Sequence, residues 1–182
     1  MEARDADDFG QFMASRWPGL VRLAYGLTGD RWIAEDIAQG TLASAYAAWW
    51  RVRRADDPDA YVRRILINAC NSRFRRRRVT ENLHAMAEFP DTRMADPSDL
   101  VGDRAALVAA VRQLPPRQRA IVVLRYLEDL SDARVAVVLG CSAGTVRSKA
   151  SRALAKLRSS AALADTGAPR QTGPVPGQGG SQ

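Results

Sequence analysis

Thr145, Arg147, Ser148, Lys149 and Arg152 gather cations and hydroxyls into a short stretch of chain. Arginine and lysine donate to guanine edges, and hydroxyls reach bases or phosphates. Val146, Ala150, Ala153, Leu154 and Leu157 follow at steps of 4, 3, 1 and 3. That spacing predicts a helix with the polar set largely off its apolar side. Ser142 stands where an N-cap belongs. Just upstream, Ser131 can cap a shorter helix striped by Val135, Val138 and Leu139, and Gly140 can end it in the left-handed conformation. Residues 131–158 therefore predict a helix-turn-helix, which sets the N-terminal part of its second helix against base edges in the major groove. The alternative is a surface hairpin with a solvated charged face.

A second polar row precedes it. Arg64, Asn68, Asn71 and Arg75 recur at steps of 4, 3 and 4, one face of a predicted helix whose inward side carries Val62, Ile65, Leu66 and Ala69. Amides and guanidinium groups on one face offer donors for base edges and cations for phosphates, which holding a single strand requires. Arg75, Arg76, Arg77 and Arg78 form an unbroken run. Such a run points all round a helix, so part of it is solvated and part meets phosphate. Arg73 falls toward the inner side, with internal bonds expected.

The net charge of +7 is distributed unevenly along the 182 residues. Residues 60–79 and 104–158 are strongly basic, while 80–103 are acidic. Two basic blocks around an acidic one predict two nucleic-acid contacts joined by a segment that avoids DNA. Catalysis finds no support. His84 is the single histidine, and Cys70 and Cys141 are the two cysteines, without a CxxC pair. Zinc sites and histidine-based catalysis therefore have no support, and no cofactor is expected. No apolar run approaches a membrane span, and the acidic start is unlike a signal peptide, so a cytoplasmic location with reduced thiols is expected.

The elements that position these groups are helices throughout. An all-α fold of two small helical domains is predicted: 1–79, a flexible acidic linker at 80–100, 101–160, and a disordered tail at 161–182 rich in Gly, Pro, Gln and Ser. Phe9, Phe12, Met13, Leu20, Ala24 and Leu27 stripe the first helix, with Pro18 an interruption or kink. Thr28-Gly29-Asp30 turns the chain. A second helix over 31–53 buries Ile33, Ile37, Ala38, Leu42, Ala45 and Trp49, leaving Trp50 the better surface contact. Asp56-Asp57-Pro58-Asp59 starts the third helix. In the second domain, Leu107, Val108 and Val111 mark one helix, and Pro115-Pro116 starts another that buries Ala120, Val123, Leu124 and Leu127.

Three motifs, in this order, resemble the extracytoplasmic-function (ECF) group of bacterial sigma-70-type sigma factors, and most nearly an actinobacterial subgroup of short ones. They are Leu27-Thr28-Gly29-Asp30 with Ala34-Glu35-Asp36-Ile37-Ala38-Gln39, then Pro58 to Asn68 with the arginines after it, then Leu114-Pro115-Pro116-Arg117-Gln118-Arg119 through Arg158. The resemblance covers residues 9–159. It implies sigma domain two, a linker and sigma domain four. It further implies core RNA polymerase as partner, gripped through the helix of Asp36 and Gln39 at the coiled coil of its largest subunit and engaged elsewhere at the flap region, while Trp50 is expected to contact polymerase or DNA. Promoter DNA would be read twice: as −35 duplex by Ser142, Thr145, Arg147, Ser148, Lys149 and Arg152, and as −10 single strand by Arg64, Asn68, Asn71, Arg75 and Arg76. An anti-sigma factor is a further candidate partner. Two positions depart from the family pattern. Gly40 stands where an acid is usual, at a helix cost of about 1 kcal/mol relative to alanine. Cys141 stands where a small aliphatic residue is favoured.

The competing readings are a self-standing helix-turn-helix regulator and a DNA-processing enzyme. The regulator would need a dimerising helix for two half-sites, and none is evident. The enzyme would need a nucleophile or metal motif beside Arg64 and Arg75, and none is present.

Overall fold

The computed structural model describes the backbone of residues 3–84 and 103–166, and within these the side chains of 7–76 and 106–160. Eight helices account for nearly all of it: α1 (Ala3–Thr28), α2 (Arg31–Ala47), α3 (Trp49–Val52), α4 (Pro58–His84), α5 (Asp103–Arg112), α6 (Pro116–Val122), α7 (Asp132–Leu139) and α8 (Ala143–Thr166). A π-helical turn, Val123–Leu127, continues α6. The all-α prediction holds for the described residues, which contain no strand.

The local chemistry explains most boundaries. α1 ends where Gly29 takes a left-handed φ of 68°. Asp30 then caps α2, its carboxylate accepting from the Ile33 amide at 3.0 Å. Asp57 caps α4 in the same way, accepting from Ala60 at 2.8 Å. Met13, Leu20, Leu23, Ala24 and Leu27 of α1 pack against Ala34, Ile37, Ala38 and Ala45 of α2 and against Val62, Leu66, Ile67 and Cys70 of α4. Burial at this scale, roughly 25 cal/mol per Å², is the main stabilising term.

Leu107 and Leu127, expected inward, are exposed, at 58% and 39%, and four further expectations need correcting. Pro18 does not interrupt α1, which runs through it. Pro18 and Ala14 both lie on the exposed side, so the carbonyl that loses its donor faces water. The helix expected over 31–53 breaks at Ala48 (φ −107°, ψ 17°). Trp49, just past the break, still faces inward against Phe9 and Phe12, ring centroids 5.3 and 5.2 Å away. The inner stripe of α4 is Val62, Leu66, Ile67 and Cys70, with Ile65 and Ala69 at its edge. α4 runs to His84, into the segment expected as linker, and α8 to Thr166, into the expected tail. Residues 85–102 and 167–182, which hold the rest of both, lie outside the described residues.

The two helical groups are packed together. The end of α1 meets α5 and the π turn, and α4 meets α7, so that a single hydrophobic cluster spans both. Arg119 of α6 is buried at this junction. Its guanidinium donates to the carbonyls of Leu27 (3.0 Å), Arg112 (2.7 Å) and Leu114 (3.2 Å) and lies 4.6 Å from the Phe74 ring centroid. Burial, reinforced by the charge of Arg112, holds its pKa below the usual arginine value.

Candidate nucleic-acid interface

The helix-turn-helix forms as predicted. The Ser131 hydroxyl accepts from the Arg134 amide at 3.3 Å, Gly140 ends α7 at φ 62°, and the Ser142 hydroxyl accepts from the Thr145 amide at 3.1 Å. Val135 and Val138 of α7 and Val146, Ala150 and Ala153 of α8 are buried, which fixes the rotation of α8. Opposite that stripe, Ser148 and Arg152 are exposed. At about 100° per residue, Arg147 and Lys149 fall on opposite flanks of the helix, so the five expected contacts do not share one line. Arg147 is exposed and Lys149 half-buried. Ser142 is committed to capping, its hydroxyl also 2.9 Å from that of Thr145, and Ser148 donates to the Thr145 carbonyl at 3.1 Å. The freest cationic donors are therefore Arg152 on the outer face and Arg147 on one flank.

On α4, Arg64, Asn68, Asn71 and Arg75 fall within an arc of about 60°. Arg64, Asn68 and Arg75 are exposed, as is Arg76, and Asn71 is half-buried. Arg64 is already engaged. Its Nε donates to the Val138 carbonyl at 3.1 Å and its Nη2 to the Val137 carbonyl, both in the last turn of α7. Arg73 makes the internal bond foreseen for it, to Asp36 at 3.2 Å, but both side chains are at least half exposed.

On α2, Asp36 and Gln39 are exposed, and Trp32, Ala43 and Tyr46 share their side within an arc of about 80°. Trp32, at 81% exposure, is the most exposed large apolar side chain described. Trp49 is core and Trp50 is 55% exposed with the Arg51 guanidinium 4.9 Å from its ring. Sequence reasoning passed over Trp32. The signal was available: from Asp36 and Gln39, steps of −4 and −7 reach Trp32 on the polar face. It also passed over Arg119, since an arginine inside a cationic motif gives no local sign that it is buried.

Among the described residues no cluster of histidine, cysteine or carboxylate side chains could hold a metal ion, and no helix is long and apolar enough to cross a membrane. Cys70 is buried, which pushes its thiol up to about 12, the opposite of an activated nucleophile.

Residues 14–80 match the family described as Sigma-70 region 2, and residues 104–157 match Sigma-70, region 4. An RNA polymerase sigma-E factor of Streptomyces antibioticus is 38% identical over 151 residues, 83% of each chain. The ECF RNA polymerase sigma factor SigM of Mycobacterium tuberculosis strain H37Rv is 32% identical over 156 residues, 85% of this chain and 78% of the relative. Among solved structures, the sigma factor RpoE in complex with the anti-sigma factor NepR from Bartonella quintana is similar with a TM-score of 0.70 and 25% identity, covering 86% of this chain and 98% of that one. CnrH, solved with the cytosolic domain of CnrY, gives 0.61 and 25% over 88% and 89%. With both regions present in family order, and with relatives matched over most of their length, the chain belongs to the ECF sigma factors, DNA-binding initiation factors that direct bacterial RNA polymerase to promoters.

Proposed function

We propose a division of labour among three faces, with no catalysis by the chain itself. The outer side of α2, with Asp36, Gln39 and Trp32 and with Trp50 beyond it, docks on the coiled coil of the largest polymerase subunit. The second helical region also engages the flap. The outer side of α8, chiefly Arg147, Ser148 and Arg152 with Thr145 and Lys149 at its margins, reads the −35 element as duplex. Arg64, Asn68, Asn71, Arg75 and Arg76 hold the −10 element as a single strand, where donors for unpaired base edges and cations for phosphates are both needed. The observation that carries this is the polar row on α4, which sits in the same chain as the outward-facing α8. A self-standing regulator has no use for such a second contact.

The chain is proposed to work in the cytoplasm with core polymerase. The solved relatives RpoE and CnrH are complexes with NepR and the cytosolic domain of CnrY, which supports an anti-sigma factor as a partner here too. The test combines purified protein, core polymerase and a promoter library, followed by sequencing of the transcripts. Arg147→Ala is expected to weaken dependence on the −35 element. Asn68→Ala is expected to slow opening at −10 with polymerase binding intact. Equal loss of polymerase binding in both variants would refute the division, and failure to direct initiation at all would refute the reading.

A further inference from the structure

Asp36 and Tyr46 stand at the two margins of the outer arc of α2, with Trp32, Gln39 and Ala43 between them. Each margin is backed by a different helix. The Tyr46 ring meets Phe9 of α1 edge-on, with centroids 5.0 Å apart. Asp36 meets Arg73 of α4, whose Nη1 donates to Oδ2 at 3.2 Å. At about 100° per residue, Arg73 lies on α4 nearly opposite the row of Arg64, Asn68, Asn71 and Arg75. It therefore points away from the proposed −10 contact and toward α2.

Stability gives little reason for this pair. Its side chains are 50% and 69% exposed, and an ion pair so open to water contributes little to the fold. The pair is also unsaturated. It uses one nitrogen of a guanidinium that has five N–H donors and one oxygen of a carboxylate that has about four acceptor sites. The neighbouring acid, Glu35, is held within α2 by Arg31 at 3.2 Å, which leaves Asp36 the one that reaches across helices. The margin toward α4 thus offers a partner both signs of charge side by side, an acceptor on α2 and a donor on α4.

We propose that Arg73 belongs to the polymerase-docking face, and that the Asp36–Arg73 pair is read as a unit by a partner surface carrying a cation and a carboxylate in the reverse order. A coiled coil suits this, because its flanking positions carry interspersed acids and bases. The inference rests on the proposed docking of α2 on polymerase and extends that face onto α4. It also gives the face a direction, aromatic on the α1 side and charged on the α4 side. A partner helix laid on the wrong way round would set like charges together, which suppresses that arrangement.

The test titrates core polymerase against the full chain, read by fluorescence anisotropy, with thermal melts as control. Arg73→Ala should weaken binding about fivefold, and Arg73→Lys, which keeps the cation, should weaken it less. The decisive variant combines Asp36→Arg with Arg73→Asp, which rebuilds the internal ion pair with its polarity reversed. A purely internal role predicts that this swap rescues the single variants. Reading by the partner predicts no rescue and a weakening of about thirtyfold or more, because two like-charge contacts are created. Any promoter-opening defect of Arg73→Ala should disappear at saturating polymerase. Rescue by the swap, an Arg73→Ala affinity within about twofold of wild type, or an opening defect that persists at saturation would each overturn the proposal, the last by placing Arg73 on DNA. The underlying docking reading fails in a different way: Trp32→Ala and Asp36→Ala would then both leave polymerase binding unchanged, and Arg73 would fall with them.

Discussion

Replacing Trp32 by alanine tests the side of α2 proposed to face polymerase, where its geometry is simplest. The indole is 81% exposed and belongs to no part of the buried cluster. Its removal should leave the fold intact. A buried aromatic side chain covers about 150–250 Å². Four-fifths of the middle of that range is about 160 Å², which at about 25 cal/mol per Å² gives a ceiling near 4 kcal/mol on full burial against a partner. Ordering the side chain at an interface removes about 1 kcal/mol. A loss of about 2–3 kcal/mol remains, a weakening of roughly 30- to 150-fold in Kd. The assay is a titration of labelled sigma factor with core polymerase, read by fluorescence anisotropy, with a thermal melt of each protein as control. Trp50→Ala should weaken binding less, because its ring is already half covered and carries Arg51. A Trp32→Ala Kd within about twofold of wild type, where well over tenfold is expected, would refute Trp32 as an anchor and return the face to Asp36 and Gln39 alone.

Gly40→Ala, in the exposed middle of α2 where a Cβ meets nothing within 4 Å, should raise stability by about 1 kcal/mol in urea titrations. Ser142→Ala removes the cap of α8 and should lower stability by about 1 kcal/mol and weaken −35 binding in electrophoretic shifts, with Ser142→Asp restoring the stability but not all of the binding. Arg119→Met deletes a charged donor shared by three carbonyls and should destabilise the chain by about 2–4 kcal/mol in the same titrations. Alkylation at pH 8 should modify Cys141 and spare Cys70 in mass spectra, since the Cys70 thiol is buried and raised to about 12. Because unfolded Cys70 ionises near 9.0 and folded Cys70 near 12, its effect on stability is flat below pH 9 and turns against the folded state between those values.

Helix identity and facing were legible where local chemistry decides them. Ser131, Gly140 and Ser142 act on their own neighbours, so a few residues of sequence carry the whole helix-turn-helix geometry. Periodicity likewise separated Trp49 from Trp50. What escaped is set by partners remote in sequence. Leu127, expected inward from its spacing, is 39% exposed and packs over Gly26, which lies near only in the fold. Leu107, expected to mark the inner side of α5, is 58% exposed, while Val111 is buried. The burial of Arg119 depends on the Leu27 carbonyl and the Phe74 ring, neither of which leaves a mark on the arginine motif. Charge segmentation marked two basic blocks and gave no hint that the helices bearing them share a core, because apolar stripes specify burial without specifying against what.

The π turn at the end of α6 has a bearing on how this chain tolerates changes of length. Glu128 donates its amide to Val123, and Leu130 donates to Leu124, spans one and two residues longer than the α-helical step. One residue is thus stored as slack in the winding. Deleting one residue between Val123 and Leu127 would let the helix rewind to the ordinary pitch while the chain after it keeps nearly its present rotation, because the widened turn already absorbs the extra residue. Glu128 would stay beside Arg22 and Arg63, and α7 would leave the chain at nearly its present angle. The same deletion in the ordinary winding of α6 would instead rotate everything downstream by about 100°.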